Sequence, residues 1–171
     1  KLVKLATRDP LTNTGNRRAL DDKLAGVIAA RKRSATLASM LIIDLDHFER
    51  VNSQSDTMAG NECLQRVADT LRQSVGRRGR VYRMVSDQFA VVLEAFDLDR
   101  ARIFADALRE AIGRQQHSWS GRELRITASI GLATCTRPGS DLAEVITAAD
   151  VAMYQAKARG GDRVAIAADL C

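Results

Sequence analysis

Residues 81–93 constrain the fold more than any other stretch, because two apolar runs stand on either side of a short polar break. The runs are rich in β-branched and aromatic residues, which fit the pleated surface of a sheet. The pattern predicts two antiparallel strands at 81–85 and 89–95 joined by a tight turn. Asp87 is the one carboxylate in the break, so an acidic side chain is expected at the tip of this hairpin.

The length and composition indicate a single folded domain covering residues 1–171. A chain of 171 residues with 46% apolar residues is long enough to bury a core and too apolar for a disordered chain. No run of about eighteen apolar residues occurs, so we expect a cytoplasmic segment without membrane contact. The chain begins with Lys1 rather than Met, which suggests a fragment of a larger multidomain protein.

The charge pattern is only weakly informative about partners. The formal net charge is +5, but 21 acidic residues are interspersed among 26 basic ones, and no nucleic-acid partner is predicted. Arginines are dense only within 72–83, where a solvated helix end and loop is the simpler interpretation and an anion site is the alternative. Three widely spaced cysteines, Cys63, Cys135 and Cys171, predict neither a disulfide framework nor a zinc site.

Hydrophobic periodicity predicts the remaining elements. Apolar residues recur at helical spacing in four segments, at 16–33, 59–75, 98–112 and 142–158. A nearly continuous apolar run at 35–44 predicts a strand buried on both faces, strict alternation at 124–132 predicts a strand with one apolar face, and 163–167 can form an edge strand. The predicted fold class is α/β (α+β), with a mixed, mainly antiparallel five-stranded sheet flanked by helices.

Two carboxylates are candidates for a common site. Asp44 follows the predicted central strand, and Asp87 lies at the hairpin tip. Carboxylates a few ångströms apart repel each other unless a cation lies between them, and a hard divalent ion with oxygen ligands is the usual solution where phosphates bind. From these residues alone, a turn-capping role for the Asp44-Leu45-Asp46 segment is the better explanation.

Four ordered motifs extend this pattern along nearly the whole chain. They are Asp9-Pro10-Leu11-Thr12 with Asn16-Arg17-Arg18, then Asp44-Leu45-Asp46-His47-Phe48, then Val85-Ser86-Asp87-Gln88-Phe89, and finally Ala152-Met153-Tyr154-Gln155-Ala156-Lys157. In this arrangement the chain resembles the GGDEF family of diguanylate cyclase domains. The resemblance implies a fold like that of nucleotide cyclases and polymerase palms. It also implies two domains that meet face to face, as a homodimer, and join two GTP molecules with Mg²⁺ into cyclic di-GMP.

The resemblance assigns roles by position. Asp44 and Asp87 correspond to the metal ligands, Asn52 and Asn61 to contacts with guanine, and Lys157 to a contact with the triphosphate. Without the motifs, Asn52 would be interpreted as a turn residue and Lys157 as a solvated helix charge.

The hairpin and the metal region depart from the family pattern at several positions. Val85 and Ser86 replace two glycines, and a β-branched Val85 is poorly suited to the positive φ that glycine allows. Gln88 replaces an essential Glu and removes a negative charge. Glu49 stands where a Lys usually faces the phosphates, so an attraction becomes a repulsion.

Other departures affect the base, the phosphates and product inhibition. Asn61 replaces an Asp, and an amide accepts hydrogen bonds only through its carbonyl end, so guanine selectivity should fall. Gly161 replaces a second phosphate-binding Arg. The charged pair of the family's Arg-x-x-Asp inhibition motif falls at Gly76 and Gly79.

These departures favour a catalytically degenerate domain with a vestigial hairpin at Val85, Ser86, Asp87, Gln88 and Phe89. Such a domain would serve as a regulatory or scaffolding module in bacterial cyclic di-GMP signalling, beside a phosphodiesterase-type or sensory domain. Two alternatives remain open. One is a weakly active diguanylate cyclase, and the other is a domain that binds GTP, or cyclic di-GMP, without turnover.

Overall fold

The sheet is organised around its central strand β1, Ala38–Leu45, in which every residue is buried. A computed structural model describes residues 6–31, 38–54, 57–119, 121–135 and 141–168. Strand β1 pairs antiparallel with β3, Gln88–Glu94, on one side and with β6, Ala128–Cys135, on the other. Because helices cover both faces of the sheet, the apolar run of β1 has no solvent-facing side.

Two outer strands complete the five-stranded sheet. Strand β2, Gly79–Arg83, pairs antiparallel with β3, and β7, Arg163–Ile166, pairs parallel with β6. The spatial order is β2-β3-β1-β6-β7. A small separate hairpin joins β4, His117–Trp119, to β5, Arg122–Leu124.

Five helices are described in the same ranges, and they cover both faces of the sheet. They are α1 Arg17–Arg31, α2 Phe48–Gln54, α3 Thr57–Val75, α4 Leu98–Gly113 and α5 Leu142–Ala158. Helices α3 and α4 pack on the face that carries Leu41 and Ile43, whereas α1 and α5 pack on the face that carries Met40 and Ile42. Asp97 and Asp141 accept hydrogen bonds from backbone N–H groups in the first turns of α4 and α5, which explains where these helices begin.

The predicted fold class is confirmed, and the boundaries of most elements agree within a few residues. One predicted strand is wrong in its bounds and burial, and one helix was not predicted. The strand predicted at 124–132 starts at Ala128 and is buried on both faces, because Leu124 belongs to β5 and Ile126 enters the core before the sheet begins. Helix α2 was not predicted, since its seven residues are too few to reveal a period. The first residues of the strand predicted at 35–44 lie outside the described ranges.

No helix within the described ranges is long and apolar enough to cross a membrane.

Gly131 of β6 generates a stability prediction, because α5 passes so close that a Cβ there would overlap Ala149 O and the backbone of Met153. We expect Gly131→Ala to lower the free energy of unfolding by about 3 kcal/mol, since the obstacle is backbone and cannot rotate away. Urea unfolding measures this change. Gly26→Ala is the matched control, because a Cβ on Gly26 in α1 meets nothing within 4 Å. The free energy of unfolding of that variant should rise by about 0.5–1 kcal/mol. A Gly131→Ala variant as stable as the parent protein would contradict the packing.

Candidate functional site

The candidate site lies where β1 ends between its two neighbours. Asp44 is paired in register with Gln88 of β3 and with Ser129 of β6, and it is only 8% exposed. The antiparallel pairing places the end of β1 beside the beginning of β3, so Asp44 and the hairpin tip share one edge of the sheet. The proximity predicted from the sequence therefore follows from the strand register.

Both carboxylate oxygens of Asp44 already have partners. Lys157 Nζ of α5 lies 2.5 Å from Oδ1, and Gln88 Nε2 donates a hydrogen bond of 2.8 Å to Oδ2. Lys157 also donates to Leu45 O at 3.3 Å. Burial alone would lower the pKa of Lys157, but its hydrogen bond and attraction to Asp44, with a smaller effect of Asp46, raise it. Lys157 is thus a charged, half-buried partner of Asp44, and the interpretation as a solvated helix charge is wrong.

Asp46 holds the neighbouring loop together. Its Oδ1 accepts from Ser129 Oγ at 2.7 Å, and its Oδ2 accepts from Thr127 Oγ1 and from Asp162 N–H, both at 2.8 Å. Burial alone would raise the pKa of Asp46, but these hydrogen bonds and the charge of Lys157 outweigh it, and the pKa is lowered. Asp46 is therefore an ionised structural residue that joins β1, β6 and the turn before β7.

The hairpin tip forms a tight turn that differs from the one expected. Gln88 N–H donates to Val85 O at 2.9 Å, and Ser86, at the first central position, has φ +54°. A positive φ at that position alone is typical of a type II′ turn. Val85 does not have a positive φ, so the expected strain at Val85 is wrong and falls on Ser86 instead. Arg83 Nε and NH2 donate to Ser86 O at 3.1 and 2.9 Å and so stabilise the tip.

Three carboxylates share the electrostatic field of this region. Burial and the negative charge of Asp44 raise the pKa of Asp87. Burial and Asp44 also raise the pKa of Asp150 on α5, where Arg17 acts in the opposite direction. Asp150 was missed from the sequence, although its spacing of seven residues from Lys157 places both on one side of α5.

The two asparagines lie on adjacent helices. Asn52 is exposed on α2, and its side chain lies so close to Gly60 of α3 that a Cβ on Gly60 would overlap Asn52 Oδ1. Asn61 follows Gly60 and is also exposed. The interpretation of Asn52 as a turn residue is wrong, because it is helical.

Two further positions are structural. Phe89 is completely buried in the core, so it is not available to a ligand. Gly161 is buried with φ +73°, and a Cβ there would lie 3.0 Å from the Asp46 carboxyl group. A larger residue at position 161 would need another loop conformation, because positive φ is unfavourable for L side chains.

Asp44 and Asp87 have the oxygen chemistry that Mg²⁺ prefers. However, Lys157 and Gln88 already occupy both oxygens of Asp44. In the part of the chain that the structure describes, no three metal-binding side chains converge. The residues therefore do not fit a resident metal ion.

Comparison with known proteins identifies the family. The profile described as "Diguanylate cyclase, GGDEF domain" matches residues 6–163. The chain belongs to the GGDEF family. Diguanylate cyclase DgcP of Pseudomonas aeruginosa is 34% identical over 163 residues, which are 95% of this chain and 24% of that protein. The bifunctional diguanylate cyclase/cyclic di-GMP phosphodiesterase MucR of the same organism is 35% identical over 160 residues, 94% of this chain and 23% of that protein. The chain thus spans about a quarter of the length of these relatives.

Solved structures support the same fold. The coiled coil and GGDEF domain of DgcB from Caulobacter crescentus, in complex with c-di-GMP, gives a TM-score of 0.91 at 25% identity, covering 97% of this chain and 88% of that one. The GGDEF domain of FimX from Pseudomonas aeruginosa gives a TM-score of 0.87 at 18% identity, covering 92% of this chain and 98% of that one. The FimX likeness concerns the fold alone.

Asp46 generates a pH prediction. Because its folded-state pKa lies below the ordinary value of 3.8, its contribution to stability is complete above that value and is lost as the pH falls through the lower folded pKa. Asp46→Asn should lower the free energy of unfolding by about 1–3 kcal/mol at neutral pH, since an amide cannot accept all three hydrogen bonds. Urea unfolding across pH should show this difference shrinking as the solution becomes more acidic than the ordinary pKa. Asp22→Asn, at an exposed position of α1, is the control and should have no comparable effect.

Proposed function

We propose that this GGDEF domain is catalytically degenerate and acts as a regulatory or scaffolding module in cyclic di-GMP signalling. It would do so within a longer cytoplasmic protein, beside a phosphodiesterase-type or sensory domain. The names of the relatives support the signalling context, since they include a diguanylate cyclase and a bifunctional cyclase/phosphodiesterase. The single observation that carries the proposal of degeneracy is that Asp44 is already paired with Lys157 and hydrogen bonded to Gln88.

The Gln88 amide removes the electrostatic need for a bound cation. A carboxylate at this position, as the family pattern has it, would face Asp44 and Asp87 and would repel both. The amide instead donates to Asp44 Oδ2, while Lys157 supplies a tethered positive charge at Oδ1. The carboxylate that should attract Mg²⁺ is thus satisfied within the chain.

The positions that should hold phosphates support the same conclusion. Glu49 lies exposed in the first turn of α2, where its negative charge favours the helix but repels an anionic ligand. Gly161 provides no cation, and its close contact with Asp46 prevents a simple replacement by Arg. Lys157 could contact a phosphate only after it leaves Asp44. These features support weak binding of GTP. Mg²⁺ would bind to Asp44 and Asp87 only when the phosphates of a nucleotide bind with it.

A second candidate function is GTP binding without turnover. The observation that favours it is the proximity of Asn52 to Gly60 and Asn61 at the start of α3. Both amides are exposed, and by resemblance their positions correspond to the family's guanine contacts. In that case the domain would report nucleotide levels to its neighbouring domains. A homodimer would then not need to bring two nucleotide sites face to face.

We expect the purified domain to form no sustained cyclic di-GMP when it is incubated with GTP and Mg²⁺. Product is measured by chromatography, and the GGDEF domain of DgcP, at equal concentration, is the positive control. Continuous product formation that disappears in Asp44→Ala would refute the proposal and establish the weakly active cyclase instead. Calorimetric titration with GTP then tests the second candidate, which fails if no binding occurs at millimolar GTP.

The role of Gln88 predicts how the domain responds to Mg²⁺. Without metal, Gln88→Glu should lower the melting temperature, because three carboxylates then face one another. The free energy of unfolding should fall by about 1–2 kcal/mol. Mg²⁺ should restore much of this loss in the variant and should change the parent protein little. Gln73→Glu, at an exposed position of α3, is the matched control for the added charge. An equal Mg²⁺ response in the parent protein would show that Asp44 still attracts a metal ion.

A further inference from the structure

A basic groove of about 950 Å³ lies at the outer edge of β2. It is bounded by the segment before α1, by α1 itself, by the 3₁₀ turn Gly76–Arg78 and by β2. Five basic side chains line it, namely Arg8, Lys23, Arg72, Arg77 and Arg80, and within the described ranges its lining includes no Asp or Glu. The groove is therefore a concentrated positive surface, separate from the site at Asp44.

Three of these five charges have no acidic partner among the described residues. Lys23 pairs with Glu94 and Arg72 with Asp69, so those two charges are compensated. Within the described ranges, Arg8 hydrogen bonds only to the neutral Asn13, through its carbonyl oxygen at 2.8 Å and its side chain at 3.1 Å. Arg77 and Arg80 are exposed, and among the described residues neither has a hydrogen bond or an ion pair. An acidic ligand would supply the negative charges that Arg8, Arg77 and Arg80 can pair with.

The start of β2 also presents unpaired backbone groups to the groove. Gly15 covers only the end of the strand, by donating to Val81 O at 3.1 Å and accepting from Arg83 N–H at 2.7 Å. In an antiparallel strand the N–H and C=O of alternate residues point to the same side. Gly79 C=O and Val81 N–H therefore point outward as well, and no hydrogen bond reaches either of them from the described residues.

We propose that this groove docks an extended acidic segment of a partner protein, which adds to the start of β2. Its backbone would accept from Val81 N–H and donate to Gly79 C=O, in the manner of strand addition to a sheet edge. Its carboxylates would pair with Arg8, Arg77 and Arg80, for which the arginine fork is well suited. The proposal does not depend on the state of the nucleotide site, because the two surfaces share no residue.

A polypeptide fits the groove better than an inorganic polyphosphate. A phosphate only accepts hydrogen bonds, so it would leave Gly79 C=O without a donor, whereas a peptide brings both N–H and C=O groups. The positions of the family's Arg-x-x-Asp motif are Gly76 and Gly79, so the charged pair of that motif is absent from this surface.

The test uses a capped peptide of about ten alternating Glu and Thr residues, titrated against the protein at low salt. We expect saturable binding that weakens as salt is added, because exposed charge pairs are screened. Arg77→Glu combined with Arg80→Glu should weaken binding at least about tenfold. Arg102→Glu, at an exposed position of α4 outside the groove, is the matched control and should leave the affinity unchanged.

Two further measurements separate strand addition from simple charge attraction. A version of the peptide with methylated backbone nitrogens keeps its charges but loses its donors, and should bind several-fold more weakly. Hydrogen exchange should show that the peptide slows exchange at Val81. Three outcomes would overturn the proposal: no binding at low salt, equal binding of the methylated peptide, or inorganic tripolyphosphate binding as tightly as the peptide. An equal loss in Arg102→Glu would also overturn it, and circular dichroism verifies that each variant is folded.

Discussion

The ion pair between Lys157 and Asp44 is the contact on which the whole candidate site depends. It joins the last helix to the end of the central strand, and it is strengthened by the Leu45 carbonyl and by Asp46. Breaking a half-buried pair of this kind leaves a carboxylate uncompensated among other acids, which is costly. A ligand that needs Asp44 or Lys157 must first replace the interactions that each makes with the other. Without a ligand, therefore, the charges of Asp44 and Lys157 are already compensated within the chain.

Two neighbours reinforce this state from opposite sides. Gln88 occupies the second oxygen of Asp44 with a neutral donor, so no additional negative charge requires a metal ion. Asp46 fixes the turn at Asp162 and keeps Gly161 in a conformation that favours glycine. The changes at positions 88 and 161 thus act together. In the proposed function, Gln88 lowers the attraction of Asp44 for a cation, and Gly161 leaves its turn without a cation for phosphates.

The sequence predicts the sheet well because burial leaves a direct trace in hydrophobicity. The continuous run of β1 and the period of α3 reflect residues that are buried on both faces or on one. The limits of β6 could not be predicted, since Leu124 belongs to a separate hairpin and Ile126 to the segment that follows it, yet both pack against the same core. The structural role of Asp46 was not predictable either, because its partners Thr127, Ser129 and Asp162 are 81, 83 and 116 residues away. Resemblance identified Asp44 and Lys157 as site residues, but only the fold reveals that they bind each other.

The close approach of α5 to Gly131 determines how the site could ever open. The helix backbone rests directly on β6, so α5 cannot slide or tilt at this point without displacing a central strand. Lys157 can consequently leave Asp44 only by a rotation of its own flexible side chain. An input from a neighbouring domain would have to act on that single rotamer, or on the hairpin opposite it, rather than on the position of the helix.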